Sequence, residues 1–278
     1  MAVFRPKDQR GESAINLILL VSLLLAALIS SLFGQGGGVL YTPIQVATGI
    51  PFHQAAATSL FLIMVMSFSA TLVFSHAHKI NWKMALALEA PTIIGSFLGG
   101  FLSYWISESA LLLLLTTLLA VASYFLIRPP AQKTRAAHQG KSALVWDFAW
   151  NGEVYQLNLV LMLPTMFTVG ALTSMTGIGG GILKVPIMVL LFSIPMSVAV
   201  GSSAFMVGLT ATAGLLGHAA VGHWDWRSSL VLAIPILIGG QIGSRLSLRL
   251  GVGKMTRWFG VFLLLIAVYT GLRALGWA

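Results

Sequence analysis

The chain of 278 residues contains no cysteine. That absence excludes disulfides, zinc–thiolate centres and thiol catalysis. Charge is almost as scarce, since Asp, Glu, Lys and Arg together make up 8% of the residues. A soluble domain needs about 25% to cover its surface, so a water-soluble globule is excluded. Disorder is excluded too, because it requires low hydrophobicity, whereas 57% of these residues are hydrophobic. Carboxylates are the rarest charges, seven in all, and with six histidines they show no metal-ligand spacing. No metal and no cofactor is therefore expected. The formal charge of +9 comes from Lys and Arg scattered singly or in short groups between apolar runs. A nucleic-acid partner would need a clustered basic face, so none is expected.

What the chain does have is long apolar runs. A helix crosses a bilayer in roughly 20 apolar residues. Such runs lie near 14–33, 55–75, 84–106, 109–127, 156–176, 197–217, 228–248 and 257–276. Two shorter segments, near 39–50 and 182–193, follow glycine-rich breaks and read as half-helices or re-entrant segments. The expectation is an all-α polytopic membrane protein with about eight spans plus two short broken helices, ten helical segments in all. Strands are not expected, because the runs lack strict alternation. The first run exceeds the length of a signal-peptide core and shows no small-x-small cleavage site, so it reads as structure. Residues 1–13 read as a cytoplasmic N-terminus, 14–127 and 155–278 as two transmembrane repeats, and 128–154 as a polar linker loop.

The repeats carry the same landmarks. Gly34-Gln35-Gly36-Gly37-Gly38-Val39-Leu40 aligns with Gly177-Ile178-Gly179-Gly180-Gly181-Ile182-Leu183, and Pro43 with Pro186. Ile50-Pro51 then aligns with Ile194-Pro195, and Ala57-Thr58-Ser59-Leu60-Phe61 with Gly201-Ser202-Ser203-Ala204-Phe205. Asn81-Trp82 aligns with Asp225-Trp226, and Pro91, Gly95 and Gly99 with Pro235, Gly239 and Gly243. Duplicated halves are a transporter signature, with substrate bound between them. Four crossings per half would make the repeats parallel and put most Lys and Arg beside cytoplasmic termini. Five per half would invert them, an arrangement ranked second because it moves the basic cluster at 128–141 outside.

Glycine breaks inside apolar runs cost about 1 kcal/mol per glycine relative to alanine. Unsatisfied backbone at membrane depth is tolerated only against protein or a watery cavity. A helix N-terminus following each break favours an anion. Gly36, Gly37 and Gly38 with Gly179, Gly180 and Gly181 are thus candidate binding residues, with close helix packing on small residues the competing explanation. Thr58, Ser59, Ser202 and Ser203 add hydroxyl donors, unless they merely cap or back-bond their helices. Lys184, whose repeat partner is Tyr41, is a lone lysine in an apolar stretch, and Glu89 is the one carboxylate well inside a span. Intramembrane charges are functional candidates by default; snorkelling of Lys184 and an interfacial ion pair for Glu89 are the alternatives. Gln241 lies on a glycine-rich face and joins the binding candidates. Glu89, His76 and His218 are proton-coupling candidates. A serine-hydrolase arrangement fails, because Ser203 and His218 lie about 22 Å apart along one predicted helix. No enzyme activity is expected.

The doubled G-x-G-G-G, the following Pro, the Ile-Pro turn, the Thr/Ser-Ser-x-Phe patch and the later Asn/Asp-Trp resemble the TauE/SafE family of sulfite exporters. The resemblance runs from about residue 14 to 276. It implies a secondary transporter in the cytoplasmic membrane that exports sulfite or a small organosulfonate such as sulfoacetate. It places the site on the two glycine breaks and the two hydroxyl pairs. Proton coupling is a separate expectation, from the protonation state of the bound ligand or from the proton-coupling candidates above. The alternatives are an uptake permease or channel for a sulfur oxyanion, and a non-transporting scaffold. The expected partners are a small anion and the lipid bilayer, and the GxxxG faces offer a homodimer surface.

Overall fold

The computed structural model describes residues 9–32, 38–128, 145–150, 153–247, 249 and 253–277. Among the described residues ten α-helices form, as the hydropathy pattern leads one to expect. The first five are α1 (Gln9–Leu32), α2 (Gly38–Ala47), α3 (Phe52–His76), α4 (Trp82–Leu102) and α5 (Glu108–Ile127). After a hairpin of β1 (Val145–Trp150) and β2 (Glu153–Asn158) come α6 (Leu159–Met175), α7 (Gly181–Leu190), α8 (Met196–Ala220), α9 (Trp226–Ser247) and α10 (Gly253–Ala274). Among the described residues, α3, α4, α5, α8, α9 and α10 are long and apolar enough to cross a membrane. The chain is an α-helical multi-pass membrane protein.

The hairpin departs from the sequence expectation of a plain loop. Its antiparallel register runs from Val145↔Asn158 to Trp150↔Glu153, and Phe148 and Leu157 bury one face of it. They pack beside Met162, Val185 and Met188, so the ribbon closes one end of the helical body.

Contacts fix the direction of every helix. Gly95 and Gly99 of α4 lie against the backbone of Phe167 and Ala171 of α6, so these two run parallel. Gly239 and Gly243 of α9 lie in the same way against Leu24 and Leu28 of α1. A Cβ at Gly99 would come within 2.2 Å of Ala171 O, and one at Gly243 within 2.4 Å of Leu28 O. Only a residue without a side chain lets the backbones meet so closely. The glycine faces that offered a dimer surface are therefore used inside the chain, where each half packs against the first helix of the other.

Equivalent helices run antiparallel. Gly208 of α8 faces Ser67 and Phe68 of α3, whereas Gly201 faces Lys79 just past the α3 C-terminus. In the other such pair, the Ser123 hydroxyl of α5 donates to Gly260 O of α10 at 2.8 Å, and Thr116 meets Thr270 at 2.9 Å. A repeat whose equivalent helices oppose one another is inverted. The parallel scheme expected above is thereby overturned, because hydropathy locates spans but carries no direction.

The short helices turn back. Gly38 at the start of α2 meets Ile63, midway along α3, while Gln45 near its end reaches Ser59. So α1 rises beside α9, the chain reverses, and α2 descends from mid-depth to the end it came from. The α6–α7 pair does the same from the opposite end, with Gly179 against Ile63 and Val207 at mid-depth. Three crossings per half remain, an odd number, which inverts the second half. The start of α1 and the end of α10 then lie at one end of the body and the β-hairpin at the other.

The Asn/Asp-Trp motif is a helix start that also anchors in the interface. Asn81 Oδ1 accepts from Met84 N at 3.1 Å, and Asp225 Oδ1 from Arg227 N at 3.0 Å, satisfying amides the first turn leaves free. The hydrogen bond from Ser228 holds the Asp225 carboxyl below the usual carboxylate range. Trp82 and Trp226 beside these caps are exposed and lie at opposite ends of the body, where indole favours the headgroup layer.

Candidate functional site

The tips of the two re-entrant pairs meet. The Thr42 hydroxyl of α2 donates to Gly177 O at 3.2 Å, and a Cβ on Gly38 would lie 2.6 Å from Ile178 O. The second tip turns through Gly177 (φ 75°), Gly179 (φ 70°) and Gly180 (φ 80°), the last of these capping α7. An L side chain adopts that region only at a cost, so glycine is needed here for conformation as well as space. Gly181 opens α7, whose first-turn amides and positive dipole end face the tip. Gly36 and Gly37 lie outside the described residues.

Lys184, one turn into α7, is fully buried. Its Cε lies 3.4 Å from where a Cβ on Gly180 would sit, so the stem runs along the glycine turn. Its Nζ donates to Glu89 Oε2 of α4 at 2.7 Å and to Met206 O of α8 at 3.3 Å. The Thr210 hydroxyl of α8 sits between Nζ and Glu89 Oε1, within hydrogen-bonding reach of both. Glu89 is also fully buried. The two intramembrane charges therefore neutralise each other next to the glycine tip, and neither snorkels. Thr210 escaped the sequence reading, since nothing in an apolar helix marks one threonine among several.

The other half holds a neutral version. The Tyr41 hydroxyl of α2 donates to Met66 Sδ of α3 at 2.9 Å, both side chains fully buried. Tyr41 is the repeat partner of Lys184, and Met66 occupies the place in α3 that Thr210 has in α8. Gln45 completes this side: its Nε2 donates to Ser59 Oγ at 2.8 Å, while its buried Oε1 has no partner among the described residues.

The remaining candidates disperse. Thr58 and Ser59 lie on one side of mid-depth and Ser202 and Ser203 on the other, because α3 and α8 are antiparallel. Ser202 Oγ accepts from Asn81 N at 3.1 Å, and Ser203 Oγ donates to Val200 O at 2.8 Å. Three of the four hydroxyls thus have structural partners. Gln241 Nε2 donates to Ser69 and clamps α9 to α3. His76 is an exposed side chain bonded to Leu72 O, at the hairpin end. His218 is buried at the opposite end against Ser174 O, at 3.1 Å. Ser203 and His218 thus stay at opposite ends of α8.

At the end bearing the chain termini, His53, which the sequence reading did not single out, stacks on His223 with ring centroids 4.6 Å apart. They flank an open cavity of about 390 Å³ that Glu108, Trp224 and Asp225 also line. Burial, and then His53, hold His223 below its ordinary value of 6.5. A histidine so depressed contributes stability above its unfolded pKa that is lost as pH falls through the folded value. Mild acid should therefore loosen this mouth, and His223→Phe should flatten the acid side of the Tm–pH profile. An unchanged profile would show that the stack is indifferent to protonation.

Inverted repeats with half-helices meeting at mid-depth define a membrane transporter. Within that class, residues 18–270 match the pattern of the family described as Sulfite exporter TauE/SafE, and the chain belongs to that family. Among the curated relatives is the probable membrane transporter protein YunE of Bacillus subtilis, 28% identical over 92% of this chain and 98% of its own. A probable membrane transporter protein of Xylella fastidiosa is 27% identical over 89% of this chain and 90% of its own. Another, from Methanocaldococcus jannaschii, is 26% identical over 89% and 95%. No solved structure matches the chain.

Proposed function

We propose that the protein is a secondary transporter that carries sulfite or a small organosulfonate across the cytoplasmic membrane, coupled to protons. Residues 14–127 and 155–278 act as its two repeats and 128–154 joins them. The observation that carries the reading is the meeting of the α2 and α7 tips at mid-depth beside Lys184. A sulfonate offers three oxygens and a charge, which suits a helix N-terminus, backbone amides and one ammonium. The family to which the chain belongs supports the sulfur oxyanion. Flux of radiolabelled sulfite, sulfoacetate and sulfate into liposomes holding the purified protein tests it. Saturable flux of sulfite or sulfoacetate is expected; no flux of any sulfur oxyanion would sink the reading.

Orientation follows from the helix directions. Lys79, Lys83, Arg128, Arg245, Arg249, Lys254 and Arg257 lie at the hairpin end, against Arg10, Arg227 and Arg273 at the other. The positive-inside rule then favours a cytoplasmic hairpin and chain termini on the outer face, the reverse of the cytoplasmic N-terminus expected above. The cysteine-free chain is a ready background for labelling. A membrane-impermeant maleimide applied to intact cells should modify Glu108→Cys and spare Asp147→Cys. The opposite pattern would restore the cytoplasmic N-terminus.

A further inference from the structure

The cation beside the glycine tip is already paired, so an anion can reach it only by displacing that partner. Lys184 and Glu89 form an ion pair in which both side chains are 0% exposed. Among the described residues it is the one ion pair so buried, and it occurs in one repeat alone. The other repeat has Tyr41 on Met66 at the same place. An inverted repeat can alternate its access with two matching scaffolds. Nothing in that scaffold calls for a charge, because the neutral half packs the same turn with a phenol and a thioether. The charged half therefore does something the neutral half does not.

We propose that the Lys184–Glu89–Thr210 cluster is a charge switch, in which an incoming anion replaces Glu89 as the partner of Lys184 only when a proton arrives on Glu89. The inference rests on the transport reading and specifies its coupling. In the resting state the ammonium and carboxylate cancel, and the cluster is neutral overall. An anion added to that pair would leave a net negative charge at a site where both side chains are 0% exposed, and desolvation strongly disfavours an uncompensated buried ion. A proton on Glu89 removes the excess. The Lys184–Glu89 ion pair becomes a neutral Glu89 acid and a Lys184–anion pair, and no bond other than the O–H forms. Thr210 is suited to the exchange, since its hydroxyl accepts from Nζ and turns toward whichever oxygen replaces Glu89 Oε1.

The stoichiometry follows from charge. One lysine and one carboxylate accommodate one proton for one negative charge, so the bound species are a monoanion and a proton, moved together without net charge. A dianion, such as sulfoacetate near neutral pH or sulfite at higher pH, is bound as its singly protonated form, or not at all. Flux then follows the sum of the anion and proton gradients. Net export occurs when the product of anion and proton concentrations is larger inside than outside.

Proton uptake on binding is the direct test. Detergent-purified protein in weak buffer with a pH dye is mixed with sulfite, sulfoacetate or nitrate, and bound anion is measured in parallel. About one proton taken up per bound nitrate is expected, with affinity falling about tenfold per unit of rising pH once Glu89 is ionised, and one more for each sulfite or sulfoacetate drawn from its dianionic form. In Glu89→Gln, which preserves shape and hydrogen bonding, the uptake with nitrate is lost and nitrate affinity becomes independent of pH. Anion binding by the wild type without proton uptake, or equal uptake in Glu89→Gln, overturns the switch. The wild-type measurement stands even if the variant fails to fold. Proton-linked binding of nitrate but of no sulfur anion would support the switch and remove the proposed substrate. Binding of none of the three overturns both.

Discussion

Gly99→Leu is expected to abolish folded protein, and Gly243→Leu to do the same from the opposite end of the molecule. At Gly99 a Cβ would already lie 2.2 Å from Ala171 O, and 2.7 Å from its Cα. These are main-chain atoms of a parallel helix, so no rotamer change relieves the clash. At Gly243 the obstacles are Leu28 O and the Ser31 hydroxyl. Overpacking a core ordinarily costs about 1–3 kcal/mol. Here whole helices must separate along a contact that joins one half of the protein to the first helix of the other, so the cost exceeds that range. Size-exclusion profiles of detergent extracts read the result, with Leu98→Ala as a control, since Leu98 is an exposed neighbour. A monodisperse peak for either glycine variant would contradict the inverted packing, because in a parallel arrangement those faces need not meet another backbone.

This packing also shows what a sequence of this kind reveals and what it hides. Gly95, Gly99, Gly239 and Gly243 are visible as a repeated spacing, and their apolar setting is sufficient to mark them as contact faces. Which helix they touch is not visible, because the contacts pair α4 with α6 and α9 with α1 across the two halves. The ten helices were legible because hydropathy reports burial in lipid directly. Their directions were not, since an apolar run reads the same whichever way it crosses. The charge count that was meant to supply direction assumed one crossing for each long run, and the turning back of α1–α2 and α6–α7 removed that premise. The hairpin did leave a signal: Asn151-Gly152 joins two short segments rich in Trp, Phe, Val and Tyr, a strong hairpin cue. The surrounding composition, which favours helices, masks it.

The candidate site was half legible for a related reason. Lys184 and Glu89 stand out as lone charges, and each invites a partner. Nothing in the sequence sets α4 beside α7, so their pairing was one alternative among several. The hydroxyl pairs illustrate the reverse error. Ser59 and Ser203 repeat at matching positions, which suggests a shared ligand, yet an inverted repeat sends matching positions to opposite sides of mid-depth. Repetition in sequence is evidence of equivalent environment, and only at the symmetry axis is it evidence of proximity. The glycine tips lie near that axis, and they do meet.

Glu89→Leu should be the most destabilising single substitution in the charged cluster, and a second substitution should reverse it. The single change leaves the Lys184 ammonium buried, with Met206 O and the Thr210 hydroxyl as its remaining partners. Removing one member of a buried pair costs about 3–5 kcal/mol. Lys184→Met in the same chain removes the stranded charge and resembles the neutral half, where a methionine already packs at the corresponding contact. Replacing both members of such a pair by apolar groups is commonly neutral or stabilising, so Glu89→Leu/Lys184→Met should unfold near the wild-type Tm. Intrinsic fluorescence from the eight tryptophans follows the transition. The cycle separates architecture from function. A pair that only holds the helices together would be dispensable for transport once the double variant has restored stability. A pair that exchanges its carboxylate for substrate would leave the double variant folded and without anion flux, and that second outcome is the expected one. Retained flux in the stable double variant would reduce Lys184 and Glu89 to structural parts and move the anion site to the glycine tips alone.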